Sequence, residues 1–346
     1  MANYFQRVMA QTATNFWINN VTREEAKIAV EAGAVGCTQN PSYTWKMLIS
    51  DTDGDYAKGL LKEILKTEPD DTMAEVKLQR ALVEEVAKAY LPLYKSSHGK
   101  QGYVSIQGDP FHEDEQTILN CARYNREAGP NIMAKVPATP EGLKAIETLM
   151  AEGVPINATE CFAVRQVLDV CEIYERVSKE VEHMPVVYFS LITGIFDEYL
   201  AKYVKDKNID INSDVLWHAG FAVAKKVHQI VAEKKYNVGF IGGGARGLHH
   251  FSEMVGANAS ITINWKGTAD KLLEQDAVVI DRFCKDTPYS IIDELLEKVD
   301  IFKQAYMING LKPEEYEDYG PVVLFRSSFE DAWSNALKLI AEMRKA

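Results

Sequence analysis

Short apolar runs alternate along this chain with longer stretches in which apolar positions recur every three or four residues. The longer stretches have the period of amphipathic helices, and the short runs, rich in β-branched residues, have the length and composition of strands. The two patterns alternate eight times. The predicted strands lie at 15–19, 34–39, 103–108, 132–137, 154–159, 185–190, 237–243 and 259–264.

The predicted helices carry capping signals at their ends. Thr22 and Glu25 form a capping box before a helical segment that Gly33 closes. Thr139, followed by Pro140, opens another helix ahead of a closing glycine, Gly153. Further helices are expected at 160–181, 213–235 and 268–276.

Eight strand–helix units predict an α/β fold, specifically a closed (β/α)8 TIM barrel, because right-handed crossovers bring the last strand back beside the first. A doubly wound open sheet is the main alternative. Extra helices are expected after the second strand, at about 41–100, and in a C-terminal extension at about 270–346. A capping box at Ser327 and Glu330 predicts the start of the last helix. We expect residues 1–346 to form one domain, since no linker or low-complexity segment interrupts them.

Charge and cysteine content narrow the classes of partner. Lys and Arg number 38 against 50 Asp and Glu, a net charge of −12, which disfavours nucleic acid as a partner. The longest uncharged apolar stretch, 184–196, is too short to cross a membrane, and the N-terminal segment does not resemble a signal peptide. The five cysteines form no metal-binding spacing and are expected to be reduced. These features predict a cytoplasmic protein that binds neither nucleic acid nor membrane, and they leave a homo-oligomer open.

Polar residues interrupt the strands at or near their carboxyl ends, where barrel enzymes place their chemistry. Because side chains alternate along a strand, Asn157 and Thr159 are expected to face the same way. The set comprises Asn19, Asn40, Gln107, Lys135, Asn157, Thr159, Ser190 and Arg246.

Lys135 is the most informative of these residues because the rest of its segment, I-M-A-K-V-P, belongs in a core. Burial disfavours the ammonium and lowers its pKa, which yields an amine able to form a Schiff base with a carbonyl. The alternatives are a lysine that extends to solvent from a strand end, or one paired with a carboxylate. Gln107 and Thr159 are candidates to hold a water near the amine.

Short polar side chains suited to sugar hydroxyls accompany this lysine. Asn40, Asn157 and Ser190 are such candidates; each alone is more often a hydrogen-bonding core residue, so the prediction depends on their convergence. The glycines at 242, 244 and 247 satisfy G-x-G-x-x-G, which permits a dinucleotide-binding interpretation. These glycines follow the seventh predicted strand rather than the first. That position favours an anion-binding barrel loop to which Arg246 contributes, or a simple tight turn. His249 and His250 are expected to point apart on a helix, so no metal site is predicted.

Two segments resemble the signatures of the transaldolase family. Residues 132–149, I-M-A-K-V-P-A-T-P-E-G-L-K-A-I-E-T-L, are similar to its active-site lysine signature, with Ala134 in place of a larger aliphatic residue. Residues 36–42, G-C-T-Q-N-P-S, resemble the second signature, with Gln39 in place of Thr or Ser. V-S-I-Q-G-D-P, I-N-A-T-E-C-F and F-S-L-I-T-G-I-F-D follow in the family's order, and the resemblance covers about residues 15–345.

The resemblance implies that Lys135 forms a Schiff base with a ketose, breaks its C3–C4 bond and passes a dihydroxyacetone unit to an aldehyde. It also implies that Thr159 holds the catalytic water. Asn40, Asn157 and Ser190 match the donor-binding positions. A sugar or sugar phosphate is the implied partner, with no cofactor and no metal.

Four departures from the family pattern change the expected chemistry. Asn19 stands where transaldolases carry Asp, and Gln107 replaces Glu, as in the fructose 6-phosphate aldolases. The phosphate-binding Arg is absent, with Ile195 or a deletion in its place, and Gly244 replaces a small hydroxyl residue near Arg246. Loss of one desolvated bidentate arginine weakens phosphate binding by about 2 to 5 kcal/mol. A non-standard or non-phosphorylated ketose is therefore expected.

Three hypotheses follow from these residues. The first is a Schiff-base transaldolase, or an aldolase that releases free dihydroxyacetone. The second is a catalytically silent sugar-binding or regulatory barrel, motivated by Asn19 and the missing arginine. The third is an NAD-dependent barrel enzyme that uses the 242–247 loop.

Overall fold

Eight parallel strands form a closed barrel in the computed structural model, which describes residues 2–345. Each strand pairs with the next along the chain, and the eighth pairs with the first over five residue pairs. This topology confirms the predicted (β/α)8 barrel and shows that the open-sheet alternative is wrong. The strands are β1 Asn15–Asn19, β2 Gly36–Thr38, β3 Tyr103–Gln107, β4 Ile132–Pro137, β5 Ile156–Cys161, β6 Val187–Leu191, β7 Gly239–Gly242 and β8 Ser260–Asn264.

Helices surround the barrel and connect successive strands. Those of the first half of the chain are α1 Tyr4–Gln11, α2 Arg23–Ala32, α3 Tyr43–Leu48, α4 Gly54–Leu65, α5 Asp71–Ser96, α6 Glu115–Arg126, α7 Pro140–Ala151 and α8 Val164–Val177. The second half contributes α9 Thr193–Asp206, α10 Ser213–Leu216, α11 Ala219–Lys234, α12 His249–Ser252, α13 Asp270–Gln275, α14 Tyr289–Lys298, α15 Asp300–Tyr306 and α16 Gly320–Lys345.

The predicted caps form at α2 and α7. The Thr22 hydroxyl accepts a hydrogen bond from the Glu25 backbone N–H at 3.1 Å, and the Glu25 carboxylate accepts one from the Thr22 N–H at 2.8 Å. Gly33 ends α2 with a φ of +108°, a left-handed conformation that favours glycine. Thr139 caps α7 through the Gly142 N–H. These local interactions fix where the helices start beside the barrel.

The helical insertion and the C-terminal extension are both observed, with one difference in the last helix. α3, α4 and α5 follow β2, and α13 to α16 follow β8. The predicted helix start at Ser327 is wrong, since α16 already begins at Gly320. Its buried stripe starts at Val322 and Phe325 and continues to Ile340, so tertiary packing of the first two turns outweighs the capping pattern.

The lumen is apolar at the end where the strands begin. Trp17, Tyr103, Met133 and Ile241 form a buried cluster separate from the larger core between the barrel and its helices. Gly36 makes room for the indole, since a Cβ there would lie 2.3 Å from Trp17. This filling leaves the polar side chains of the strands at the opposite, carboxyl end of the barrel.

All five cysteines are free thiols, as predicted from their spacing. Cys37, Cys161 and Cys171 are buried, whereas Cys284 is exposed. None of the helices within residues 2–345 is long and apolar enough to cross a bilayer.

Candidate active site at the carboxyl end of the barrel

A cavity of about 430 Å³ opens at the carboxyl end of the strands. It brings together six of the eight side chains predicted from the sequence, and the strand ends and α16 form its walls. Those six are Asn19, Asn40, Lys135, Thr159, Ser190 and Arg246. The other two, Gln107 and Asn157, lie directly beside Lys135 on the neighbouring strands.

Lys135 lies in β4 between Gln107 of β3 and Asn157 of β5, and only 7% of it is exposed. Its Nζ is 5.9 Å from the centre of the Phe329 ring of α16. Burial lowers the pKa of Lys135 to about 8, and the nearby Glu160 carboxyl opposes that shift. The lysine therefore does not extend to solvent, and the charge of Glu160 acts on it although no salt bridge joins the two side chains.

A hydrogen-bonded chain of short side chains crosses the lumen beside the lysine. The Ser190 hydroxyl donates to Asn157 Oδ1 at 2.7 Å, and Asn157 Nδ2 donates to the Ser105 hydroxyl at 3.2 Å. Asn157 lies near the start of β5 rather than at the strand end, because β5 extends two residues beyond the predicted boundary. The chain holds the Asn157 amide and the Ser190 hydroxyl in fixed orientations.

Asn20, which follows β1, orients the predicted Asn40. Asn20 adopts a φ of +46°, and its Nδ2 donates to Asn40 Oδ1 at 2.8 Å. Lys46 of α3 donates to the backbone carbonyl of Asn20 and also lines the cavity. Burial lowers the pKa of Lys46. Asn40 is thus placed by two residues that the sequence analysis did not single out.

The Asn19 side chain belongs to a network of neutral groups. Its Nδ2 donates to Asn264 Oδ1 at 3.1 Å, and its Oδ1 accepts from the Thr38 hydroxyl at 2.9 Å. Thr38 also lies 2.8 Å from the Thr262 hydroxyl. Amides and aliphatic hydroxyls do not titrate in the neutral range, so these four side chains can form hydrogen bonds but supply no acid or base.

Two carboxyls share the amide of Gln107. Gln107 Nε2 donates to Glu160 Oε1 at 2.9 Å and to Glu113 Oε1 at 3.3 Å. Burial raises the pKa of both carboxyls. The Thr159 hydroxyl has no hydrogen-bond partner among the described residues and lines the cavity near Lys135. Neither glutamate was predicted, although a carboxylate in I-N-A-T-E-C-F is the same signal, a charge in a core segment, that singled out the lysine.

The glycine-rich loop after β7 forms one wall of the cavity. Gly243, Gly244 and Arg246 line it, but only the four-residue α12 follows, in contrast to the long helix of a dinucleotide-binding unit. The Arg246 guanidinium pairs with Glu198 of α9. Ile195, at the position of the missing arginine, packs against Gly244, so an apolar wall replaces a cationic one.

The two adjacent histidines differ from their prediction. The rings of His249 and His250 lie 4.1 Å apart, because α12 is too short to impose the regular helical divergence of neighbouring side chains. His250 pairs with Asp197 at 3.1 Å and accepts from the Arg246 backbone N–H at 3.3 Å. Within residues 2–345, no group of three or more His, Cys, Asp and Glu is arranged to hold a metal ion.

Comparison with known proteins assigns a family. A family model described as Transaldolase/Fructose-6-phosphate aldolase matches residues 16–312. A transaldolase from Thiobacillus denitrificans is 31% identical over 180 residues, which cover 49% of this chain and 48% of that protein. Transaldolase 2 from Nostoc punctiforme is 32% identical over 177 residues, 48% of this chain and 45% of that protein.

The similarity to curated relatives is partial in length. A transaldolase from Neisseria meningitidis is 28% identical over 211 residues, 55% of this chain and 59% of that protein. The chain therefore spans about half the length of the curated relatives it matches. A solved aldo/keto reductase from Brucella melitensis aligns over 82% of this chain and 92% of its own, with 11% identity and a TM-score of 0.35.

Proposed function

The chain belongs to the transaldolase/fructose-6-phosphate aldolase family, and we propose that it is a transaldolase in which Lys135 forms a Schiff base with a ketose. The observation that carries the proposal is the position of this amine at the cavity, buried, with its pKa lowered to about 8. Near neutral pH a usable fraction of such an amine is uncharged and nucleophilic. An ordinary surface lysine would be almost wholly protonated there.

The reaction follows from the electron demand of the iminium. Lys135 attacks the C2 ketone, and loss of water from the carbinolamine gives a cation at C2. That cation accepts the electron pair of the C3–C4 bond while the C4 hydroxyl gives its proton to the water proposed at Thr159, so an aldehyde leaves and an enamine remains. The enamine attacks the acceptor aldehyde, the new alkoxide gains a proton, and hydrolysis of the iminium frees Lys135.

Donor recognition is assigned to the short polar groups around the lysine. The Asn157 amide and the Ser190 hydroxyl, already oriented by their mutual hydrogen bond of 2.7 Å, would bind the dihydroxyacetone portion. Asn40, held by Asn20, would bind the same portion from the opposite wall. Because these partners are fixed before substrate arrives, little side-chain entropy is lost on binding.

The end of the cavity near Arg246 lacks the second arginine that the family resemblance leads us to expect for binding phosphate. Arg246 is paired with Glu198, and Ile195 gives an apolar surface where a second arginine would be expected. Lys46 and Lys266 still line the cavity, so a phosphate would meet ammonium groups rather than a bidentate guanidinium. A ketose without phosphate, or one whose phosphate binds weakly, is the proposed donor.

Borohydride trapping tests the proposed chemistry. Incubation with dihydroxyacetone, fructose or fructose 6-phosphate followed by reduction should add the mass of the reduced donor fragment to Lys135, measured by peptide mass spectrometry. Lys135→Met should give no adduct, whereas Lys144→Met, at an exposed lysine paired with Glu141, should label normally. Absence of an adduct at Lys135 with every ketose would overturn the proposal and favour a silent sugar-binding barrel.

An aldolase that releases dihydroxyacetone is the second candidate, favoured by Gln107 at the third strand. Product analysis without and with erythrose 4-phosphate or glyceraldehyde 3-phosphate separates the two. A transaldolase turns over only when an acceptor aldehyde is present. Steady release of dihydroxyacetone without an acceptor would support the aldolase instead.

A further inference from the structure

Glu160 is a fully buried carboxyl at the end of β5 that the mechanism above leaves unused. The backbone at this residue is irregular: its φ is +60°, and the pairing of β5 with β6 shifts register between Ala158 and Cys161. In a regular strand Glu160 would face away from its neighbours Thr159 and Cys161. The bulge and the left-handed backbone redirect a side chain at a strained position, a feature found disproportionately at functional sites.

The redirected carboxyl reaches the polar groups beside the lysine. Its Oε1 accepts from Gln107 Nε2 at 2.9 Å, and Gln107 is the residue paired with Lys135 across β3 and β4. Glu160 Oε2, Gln107 Oε1 and Thr159 Oγ1 are buried and have no partner among residues 2–345. Polar atoms at this depth normally have hydrogen-bond partners. Three unpartnered oxygens on residues near Lys135 indicate a place for a hydrogen-bonding group such as a water.

The charged groups that face Glu160 come from several elements. Lys135 of β4 and Arg326 of α16 favour its ionised form, while Glu330 of α16 disfavours it. Glu113 shares the Gln107 amide and lies 3.9 Å from Arg326. Burial raises the pKa of Glu160 and lowers the pKa of Lys135, which brings the proton affinities of the two groups closer together.

We infer that Glu160 is the proton store for Schiff-base formation at Lys135, a role that the amide of Gln107 cannot perform. In the resting site Lys135 and Glu160, which influence each other without forming a salt bridge, hold one proton between them. Transfer of that proton to Glu160 frees the amine to attack the ketone. The protonated carboxyl then returns the proton, through the group held at Thr159, to the carbinolamine hydroxyl, which leaves as water. The products are the iminium cation and the glutamate anion, so atoms and charge balance.

This inference rests on the proposed Schiff base and predicts a specific pH dependence for its formation. A pair that shares one proton is active only between its two macroscopic titrations, so the rate of adduct formation should be bell-shaped in pH. With Glu160→Gln, the lysine is the only member of this pair that still titrates. The rate should then fall by about 100-fold near neutrality and follow a single rising curve.

Two further variants separate proton storage from support of the local structure. Glu113→Gln removes the other carboxyl that accepts from Gln107 and should keep the bell-shaped curve with a rate within about threefold. The exchange Gln107→Glu with Glu160→Gln moves the carboxyl to β3 while keeping a hydrogen bond between the two positions. The exchange variant should form the adduct at least about tenfold faster than Glu160→Gln alone.

The measurement is the rate of the borohydride-trapped Lys135 adduct with dihydroxyacetone between pH 5 and pH 10, alongside circular dichroism of each variant. A bell-shaped curve retained in Glu160→Gln, or equal losses in Glu160→Gln and Glu113→Gln, would overturn the inference while the Schiff base stands. If Glu160→Gln is misfolded, a monotonic curve in the folded exchange variant would overturn it equally. No adduct in the unsubstituted protein would overturn the proposed function and this inference with it.

Discussion

The buried Lys135 destabilises the fold at neutral pH. Its pKa is lowered from 10.5 to about 8, so between those values the unfolded chain binds more protons than the folded one, and stability rises with pH. Below pH 8 the full penalty is present, about 3 kcal/mol for a shift of this size. We predict that Lys135→Met is more stable than the parent by up to that amount at pH 7, measured by urea unfolding.

The same experiment at pH 10.5 supplies the decisive comparison. At that pH the folded Lys135 is almost uncharged and the unfolded lysine is about half protonated, so the penalty falls to about 0.4 kcal/mol and the gain from Lys135→Met should largely disappear. Lys144→Met is the matched control, since Lys144 is exposed on α7 and should change stability little at either pH. A gain that is equal at both values of pH would show that packing, rather than the buried charge, determines the difference.

Single residues were predictable where a local rule applied and unpredictable where a contact was distant in sequence. Lys135 was recognised because a charge inside I-M-A-K-V-P conflicts with burial. Glu160 carries the same conflict, but it lies one residue beyond the predicted strand and was assigned to the following helix. The pairing of Arg246 with Glu198 joins the loop after β7 to α9. The two residues are 48 positions apart, so no local sequence pattern indicates the contact.

The first turn of α9 and the loop after β7 are in contact through two glycines. A Cβ on Gly194 would lie 2.1 Å from the Gly244 carbonyl oxygen and 3.0 Å from the Arg246 nitrogen. Gly194→Ala therefore has to displace the loop that lines the cavity, at a cost of about 1 to 3 kcal/mol for overpacking. We predict lower stability together with an increased KM for the ketose, measured by thermal unfolding and steady-state kinetics.

Gly59→Ala is the control for this prediction. Gly59 lies on an exposed part of α4, and nothing is within 4 Å of a Cβ added there. The substitution should stabilise the protein by about 0.5 to 1 kcal/mol through helix propensity and leave KM unchanged. Normal kinetics and stability in Gly194→Ala would mean that the loop and α9 are not tightly coupled.

Element boundaries were predictable where periodicity and caps agreed. β1 and β4 have the bounds that the apolar runs indicate, and α2 begins at its capping box. β5 ends two residues later than predicted because a bulge continues the strand through Glu160. α16 begins seven residues before its predicted cap, since Val322 and Phe325 are buried by the surrounding helices. Both differences arise from tertiary contacts, which a single sequence does not contain.

The closed topology bears on how the whole molecule unfolds. Each strand is hydrogen-bonded to two neighbours, so loss of any one strand opens the entire ring. α16 packs against α3, α5, α9 and β5, which joins the helical insertion, the barrel and the C-terminal extension. We therefore propose that the chain is one domain, whose insertion and extension have no folding transition of their own.

Tryptophans report separately on the parts of this assembly. Trp17 lies in the lumen, whereas Trp333 is buried in α16, and both are almost fully enclosed. In variants that retain only Trp17 or only Trp333, the other tryptophans being replaced by Phe, urea unfolding followed by fluorescence should give the same midpoint and the same slope. Coincidence is expected because α16 can leave only by exposing the buried Phe325, Phe329 and Trp333, of which Phe325 and Phe329 line the cavity at the barrel mouth. A Trp333 transition at lower urea than that of Trp17 would mean that α16 unfolds separately. Lys135 would then be exposed in a partly unfolded state with its barrel intact, and Schiff-base formation would be lost before the barrel fluorescence changes.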